Sequence, residues 1–578
     1  MKVDSIRAYT YTGDGRPVQI TVNLADALRT LRHLTLVRVL WADALCINQD
    51  DVIEREDQVK LMGLIYWKAL RVQIWLGRDD DVEEPYRAKH AIRVIRRLAQ
   101  VHLAALGTTA EDYSLYRKIR FDEPESITQS EWMALHRLLE RPWFQRVWVV
   151  QELGLSRDSV FHCGECYFTK TDLKEFTSLL NHSKKRLIKP HNLRLQMIHL
   201  GDDYWRSCRG NTRLELGSHP KEAETFLDIL AKTRGLSCTD ARDSVYAFLG
   251  HPSAFKRQRL DISPYEWYPT NYYQHRSTIV TPNYKSSNTF LRTYTELAIA
   301  AIRDVGLGLN VLSHITHDEV TIETDFPSWV PRWDVNGHQS DFIGADIYFA
   351  ASGSLPKTNF KILSSKRRRR MDKLTFKALR LDTIRSVRRA PVMETLQESA
   401  DLMALLLSDA PKMSRPCAIP IPDTLSYPYE EPFVLAFAST MTAGLTSSWD
   451  QYCEPVDHHS DQHVRNFHAY YRRQESSNGP ALAEADMERA GYFTLDAQRA
   501  SSGRVFFITH DGRFGNGPSV TEGLDEIWIP MGAKLPVILR PYDNGKFKVI
   551  GQTYLYGVMR GEAVRGKTEQ DFETVTLF

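Results

Sequence analysis

The chain has 578 residues, too many for one ordinary core, which predicts two to four domains. Its 42% apolar and 25% charged content is that of a globular protein, and 74 basic against 72 acidic residues leave a formal charge of +2. That balance argues against wholesale binding to nucleic acid or to an anionic membrane. There is no apolar run of about 18 residues to span a bilayer, and the opening MKVDSIRAYTYTGDG lacks the apolar centre of a secretory signal. Seven scattered cysteines, an odd and low count, suit a reducing compartment, so a cytoplasmic location is expected.

Residues 18–32 read as a short strand and then a helix, with Asn23 as its N-cap and Leu24, Ala27, Leu28 and Leu31 on one face. The apolar run 37–47, VRVLWADALCI, reads as a buried parallel strand. Asp51 and Glu54 have the spacing of a capping box for the next helix, and 71–77, RVQIWLG, reads as a strand closed by Gly77. The first 77 residues thus alternate β-α-β-α-β, which predicts a parallel sheet with strands near 38–46 and 71–76 adjacent. A helix is expected near 86–106, and 130–156 reads as two helical pieces divided at Arg141-Pro142. Strand character returns at 160–168, where Cys163-Gly-Glu-Cys166 reads as a turn between two strands. A zinc site would need a second cysteine pair. Residues 170–310 are mostly helical in pattern, 311–490 irregular with insertions, and 503–563 alternate short apolar runs with glycines as in a small β-rich module. His459 and His463 are expected in a polar loop, and the basic run Lys366 to Arg370 in a solvated one. The expected division is 1–168, 169–310, 311–490 and 491–578.

Several blocks resemble the fungal heterokaryon incompatibility (HET domain) family. They are LWADALCINQDD with MGLIYWKA and VQIWLG, then RPWFQRVWVVQELGLS before a strand and Cys163-Gly164. Downstream, DARDSVYAFLG (240–250), NYKSS and YTELA (283–298) and FPSWVPRWD (326–334) also match. The last is the pattern GRFGNGP, GLDEIWIPMGAKLPVILR and GQTYLYGVMRGEA near the C-terminus. The family's usual opening, a strand-loop like ALSYxWG, is absent. Its first strand is expected to be missing or replaced by IRAYTYT, in a truncated gene model or a sheet lacking one member. Tyr556 and Arg560 stand where the family more often has His and Asp. The resemblance implies a TIR-like, flavodoxin-like α/β domain at the N-terminus, then a mostly helical region and a small β-rich C-terminal module. It also implies a role in fungal incompatibility and programmed cell death.

Some TIR domains cleave NAD with a Glu four residues after a Trp, the spacing of Trp148 and Glu152 here. Positions i and i+4 share one helical face, and a carboxylate there could stabilise positive charge at an anomeric carbon, as in glycoside cleavage. The alternative is that Trp148 is core and Glu152 pairs with Arg146 or Arg141. Asp43 at the end of a predicted strand, with Asn48, Gln49 and Asp50 beyond it, stands where open α/β sheets bind ligands. Asn48 and Asp50 could equally cap the next helix, and Glu54 and Arg55 open that helix as site or as solvated first turn.

Gly561 to Thr568 matches GxxxxGK[ST] by letter, but only ten residues follow Thr568, leaving no helix to aim N–H groups at phosphates, so ATP binding is not expected. No metal site is expected, no cofactor is required, and NAD enters only as a substrate. The reading is therefore a non-self recognition and cell-death signalling protein acting through self-association and protein partners. Its alternative is an NAD glycohydrolase using Glu152.

Overall fold

The computed structural model describes residues 7–11, 17–33, 35–79, 82–106, 127–182, 225–255, 277–303, 307–335, 349–353, 360–363, 373–388, 431–447, 453–456, 460–475 and 483–578. The basic run at 366–370 and His459 lie outside them. The chain divides into two units, and it interleaves them. One unit is 1–218 with 236–289, the other 219–235 with 290–578.

In the first unit, β1 (Arg7–Tyr11) and β2 (Pro17–Thr21) form an antiparallel pair of their own, so the segment expected to replace the missing strand is a strand, in a hairpin. Helix α1 (Val22–Leu31) begins at Thr21, whose hydroxyl accepts the Leu24 N–H at 3.2 Å. Thr21, not Asn23, is the cap. The Asn23 amide oxygen accepts the Trp75 indole N–H at 3.0 Å instead. Asp26 on α1 takes a two-pronged bond from Arg78 at 2.6 and 2.7 Å, which fastens α1 to the end of β3 (Val72–Trp75) and holds its carboxyl below the ordinary range.

Residues 37–47 do not form the expected strand. They run unpaired to a helical turn, α2 (Asp43–Cys46), with Val37 96% and Val39 93% exposed. A parallel strand is stable only when both its ladder and its faces are covered. Among the described residues β3 pairs on one edge alone, with β4 (Ser159–Cys163). Those two are parallel, Val72 opposite Ser159, as a crossover carrying several helices requires. The sheet is mixed rather than wholly parallel, because a two-residue turn joins β4 to β5 (Cys166–Thr169) and such a turn permits only antiparallel pairing. Gly164 occupies that turn at φ +55°, and neither Cys163 nor Cys166 is in a disulfide.

Helix α3 (Val52–Lys68) starts at Asp51, which accepts from the N–H groups of Ile53 and Glu54. The helix Ala88–Leu106 buries Ala91, Val94, Ile95 and Leu98 at the spacing of one helical face. Phe161 of β4 lies flat on Phe168 of β5 at 4.7 Å, and Trp143 meets Phe161 edge-on at 5.3 Å. Trp143 is carried there by the tight turn Pro142–Gln145, whose proline sits at the first position, where its missing N–H has no partner to lose.

The second unit is built on β7 (Lys373–Arg388), 16 residues within the region expected to be irregular, with β6 (Lys361–Leu363) paired to its start and β8 (Leu445–Ser447) and β9 (Cys453–Pro455) paired to each other. Its buried Leu374, Phe376 and Ala378 alternate as a half-buried strand should. β7 pairs with β12 (Glu526–Pro530) and β16 (Glu573–Leu577), and β13 (Val537–Tyr542) and β14 (Lys546–Gln552) complete a closed ring of five strands. From Ile384 onward β7 pairs with β10 (Arg504–Thr509), which carries β11 (Phe514–Pro518) and β15 (Tyr554–Leu555). Ile384, Phe507, Ile527, Ile538 and Ile550 fill the centre. The helices Glu431–Met441, Ser460–Glu475 and Glu484–Ser501 pack Phe437, Phe467 and Phe493 against Phe506 and Phe514. His463 is therefore not on a polar loop but buried in a helix, its Nε2 3.3 Å from the Thr442 hydroxyl. Gly561 to Thr568 holds a short 3-10 turn at Glu562–Val564. Thr568 caps a second at Glu569–Asp571 that leads into β16, and no α-helix begins at Lys567.

Candidate functional site

Glu152 lies in the first turn of the helix Val149–Leu155. Trp148 is that helix's N-cap residue, with its carbonyl accepting the Glu152 N–H at 3.2 Å, but the two side chains part. The indole that reaches Glu152 is Trp143, whose Nε1–H donates to Oε2 at 3.2 Å. The Tyr66 hydroxyl on α3 bonds the same carboxylate, and the charges of Asp43 and Arg146 act on it through space. Burial raises the Glu152 pKa, Asp43 raises it further, and Arg146, Trp143 and Tyr66 oppose them. Burial beside these carboxylates drives Tyr66 well above its usual value, so its phenol keeps its proton and donates. Trp41 stands edge-on to Tyr66 at 6.4 Å. The group is thus a desolvated carboxyl between two aromatic donors, with a second, exposed carboxylate nearby. Such a carboxyl can accept a hydrogen bond, exchange a proton or steady a cation.

Trp148 turns the other way. Its Nε1–H donates to Asp243 Oδ2 at 3.2 Å, and the Tyr284 hydroxyl donates to Asp243 Oδ1. Burial raises the Asp243 pKa against those two bonds. Arg55 lies 3.7 Å from the Tyr284 ring centre and 3.8 Å from Asp240. Arg242 grips Asp240 with two bonds, at 2.9 and 2.7 Å, and donates to the carbonyls of Asn283, Lys285 and Asn288. Burial alone would raise Asp240, yet Arg242 holds it below the ordinary carboxylate range. Glu56 accepts the Tyr284 N–H at 2.6 Å. This network ties the start of α3, the turn at 148, the segment 240–246 and the segment 283–288 together.

Asn48, Gln49, Asp50 and Glu54 join neither group. The bonds they make are local: Asn48 N–H to Glu54 Oε1, Asp50 N–H to Asn48 Oδ1, and Gln49 Nε2 to the Asp43 carbonyl. The helix cap is Asp51, and neither Asn48 nor Asp50 caps it. Of the residues singled out in the sequence, the structure brings Asp43 to Glu152, and Trp148 to the network of Arg55. Tyr66, Trp143, Asp240, Arg242, Asp243 and Tyr284 were not singled out. Each lies in a block quoted for the family resemblance, the one signal that could have marked them. Among the described residues no three His, Cys, Asp or Glu side chains gather as a metal site, and no helix is long and apolar enough to cross a membrane.

Comparison with known proteins gives three matches. Residues 3–152 match the model of "Heterokaryon incompatibility protein (HET)", and 431–575 match that of the "Het-6 beta-barrel domain". β7, which closes the ring, precedes the second match. Heterokaryon incompatibility protein 6, OR allele, of Neurospora crassa is 25% identical, over 97% of this chain and 88% of its own length. No solved structure matches. Two models in one chain, and a relative aligned along nearly all of it, agree with the order of the sequence blocks: the protein belongs to the heterokaryon incompatibility (HET domain) family.

Proposed function

We propose that this protein acts in fungal heterokaryon incompatibility and cell death, in the cytoplasm, by self-association and contact with protein partners. The observation that carries the reading is the bare run on the HET domain. Leu36, Val37 and Val39 are 67, 96 and 93% exposed, with Leu40, Trp41 and Leu45 exposed beside them. Contiguous exposed apolar residues of this kind mark protein contact sites. The name of the Neurospora relative supports the biological role. The N-terminal α/β part is read as TIR-like.

The second reading, NAD cleavage by Glu152 with Trp148, Asp43, Asn48, Gln49, Asp50, Glu54 and Arg55 about the substrate, is favoured by one observation. The Glu152 carboxyl is desolvated and raised in pKa, a frequent mark of a functional group. Expression in a fungal host separates the two. The Val37→Asp/Val39→Asp double variant should lose cell-death activity while keeping the wild-type melting temperature. Glu152→Gln should keep activity wherever it folds. The reverse pattern, together with NAD consumption by purified wild-type protein, would establish the enzyme and sink the contact reading.

A further inference from the structure

We propose that Cys163 and Cys166 join in a reversible disulfide on exposure to peroxide, which makes the turn between β4 and β5 a redox modification site. The inference depends on neither the contact reading nor the NAD reading. Cys163 stands directly opposite Cys166 in the antiparallel ladder, and Phe161 stands opposite Phe168 two steps further in. Directly opposed residues of such a pair project from the same face. Their Cα atoms lie about 4.5–5.5 Å apart, inside the roughly 4.4–6.8 Å that a disulfide spans. Their Cβ atoms, about 4.5–5.5 Å apart, need close by only about 1 Å to reach disulfide geometry. Neither cysteine is bonded to another in this structure, so the described state is the dithiol.

The surroundings hold the pair in place. On the same face, Phe161 and Phe168 stack at 4.7 Å. At the turn, the Gly164 N–H donates to the Gly77 carbonyl at 2.9 Å, and a Cβ on Gly164 would lie 3.2 Å from the Asp79 Cβ. Asp79 is itself fixed, by Arg141 at 3.1 Å and by the Ala88 N–H at 2.7 Å. The two thiols differ in access: Cys163 is 1% exposed and Cys166 half-buried. Oxidation follows thiolate character and exposure, so Cys166 reacts first and Cys163 resolves. The Cys166 thiolate attacks one oxygen of hydrogen peroxide and becomes a sulfenic acid. The O–O bond breaks, and the departing hydroxide takes a proton and leaves as water. The Cys163 sulfur then attacks that sulfur and gives up its proton, and the sulfenic oxygen leaves as a second water. Two thiols thus lose two electrons and two protons, and peroxide takes them. In a reducing compartment such a bond is transient and is reversed by thiol exchange.

The test uses the full chain, reduced, treated with hydrogen peroxide while folded, then alkylated with iodoacetamide in urea. Trypsin cuts after Arg157 and Lys170, so a single peptide, 158–170, carries both thiols. From reduced protein it should carry two alkyl groups. After peroxide it should carry none and weigh two hydrogen atoms less than the dithiol, and dithiothreitol should reverse the change. Melting curves should show that the oxidised protein stays folded. In Cys166→Ser the same peptide should keep one alkyl group after peroxide, because the oxidant does not reach Cys163. A wild-type peptide that still takes two alkyl groups overturns the proposal. So does one that gains oxygen instead of losing hydrogen, or one joined to the peptide of another cysteine. The wild-type peptide decides the matter whether or not Cys166→Ser folds.

Discussion

At the scale of single residues, Glu152 shows what a spacing rule can and cannot reach. An i, i+4 argument holds within a helix, but here the helix begins at Val149 and Trp148 is only its cap. The side chains diverge, and Trp143 takes the place expected for Trp148 because Pro142 starts a tight turn that swings it in. Tyr66 was hidden for a different reason. It comes from a helix nearly ninety residues earlier in the chain, and no local pattern encodes that meeting. Buried histidines give a residue-scale prediction. Burial lowers His317 and His463 from the usual 6.5 to about 4, so both are neutral in the folded protein near neutrality. The unfolded chain binds their protons first as pH falls. Their contribution is therefore complete above about pH 6.5, is lost as pH falls towards 4, and changes no further below it. Each should account for about 3 kcal/mol at most. Urea unfolding at pH 7 and pH 4.5 should show the fall, and His463→Gln should make it shallower. An unaltered pH dependence in that variant would refute the assignment.

Among the elements, those whose local chemistry was complete were legible. α3 announced itself with Asp51 as cap, β3 with its β-branched run and Gly77, and the β4–β5 hairpin with Cys-Gly-Glu-Cys. Two were not. Residues 37–47 have a buried strand's composition, but composition does not supply a pairing partner, and the segment lies bare. β7 was missed because Lys373, Thr375 and Lys377 on its other face and the exposed Arg380 that follows dilute the alternation of Leu374, Phe376 and Ala378, and a basic run precedes it. Gly515 in β11 gives the prediction at this scale. A Cβ there would lie 2.1 Å from the Phe507 ring, which is itself fully buried at the centre of the core. Gly515→Ala should cost about 3 kcal/mol through overpacking, read as a lower denaturation midpoint. The pair Gly515→Ala/Phe507→Leu should recover part of it. Full stability in the single variant would show that the ring has room to move.

For the whole molecule, the ring of strands in the second unit closes only through β7, which bonds β12, β16 and β10 at once. A fragment of residues 431–578 contains the matched barrel segment without that strand. It should show no cooperative melt, since losing three ladders removes on the order of a domain's entire stability, about 5–15 kcal/mol. A fragment of residues 290–578 should melt cooperatively by circular dichroism. A cooperative transition in the shorter one would mean that the barrel has another way to close.

The interleaved path of the chain has a consequence for inheritance. Residues 219–235 belong to the second unit but lie upstream of 236–289, which belong to the first. Within the second unit, Arg234 donates to the Thr316 hydroxyl at 2.8 Å and to the His314 carbonyl, and stacks on Trp333 at 4.7 Å. A single recombination between two alleles therefore cannot exchange either unit whole. A crossover near 290 would leave one parent's Arg234 segment fitted to the other parent's residues 314–333. Divergent alleles of this gene should then recombine productively only by double exchange, or where those two short segments agree. The variation that sets one allele apart from another should travel as linked blocks rather than as independent halves.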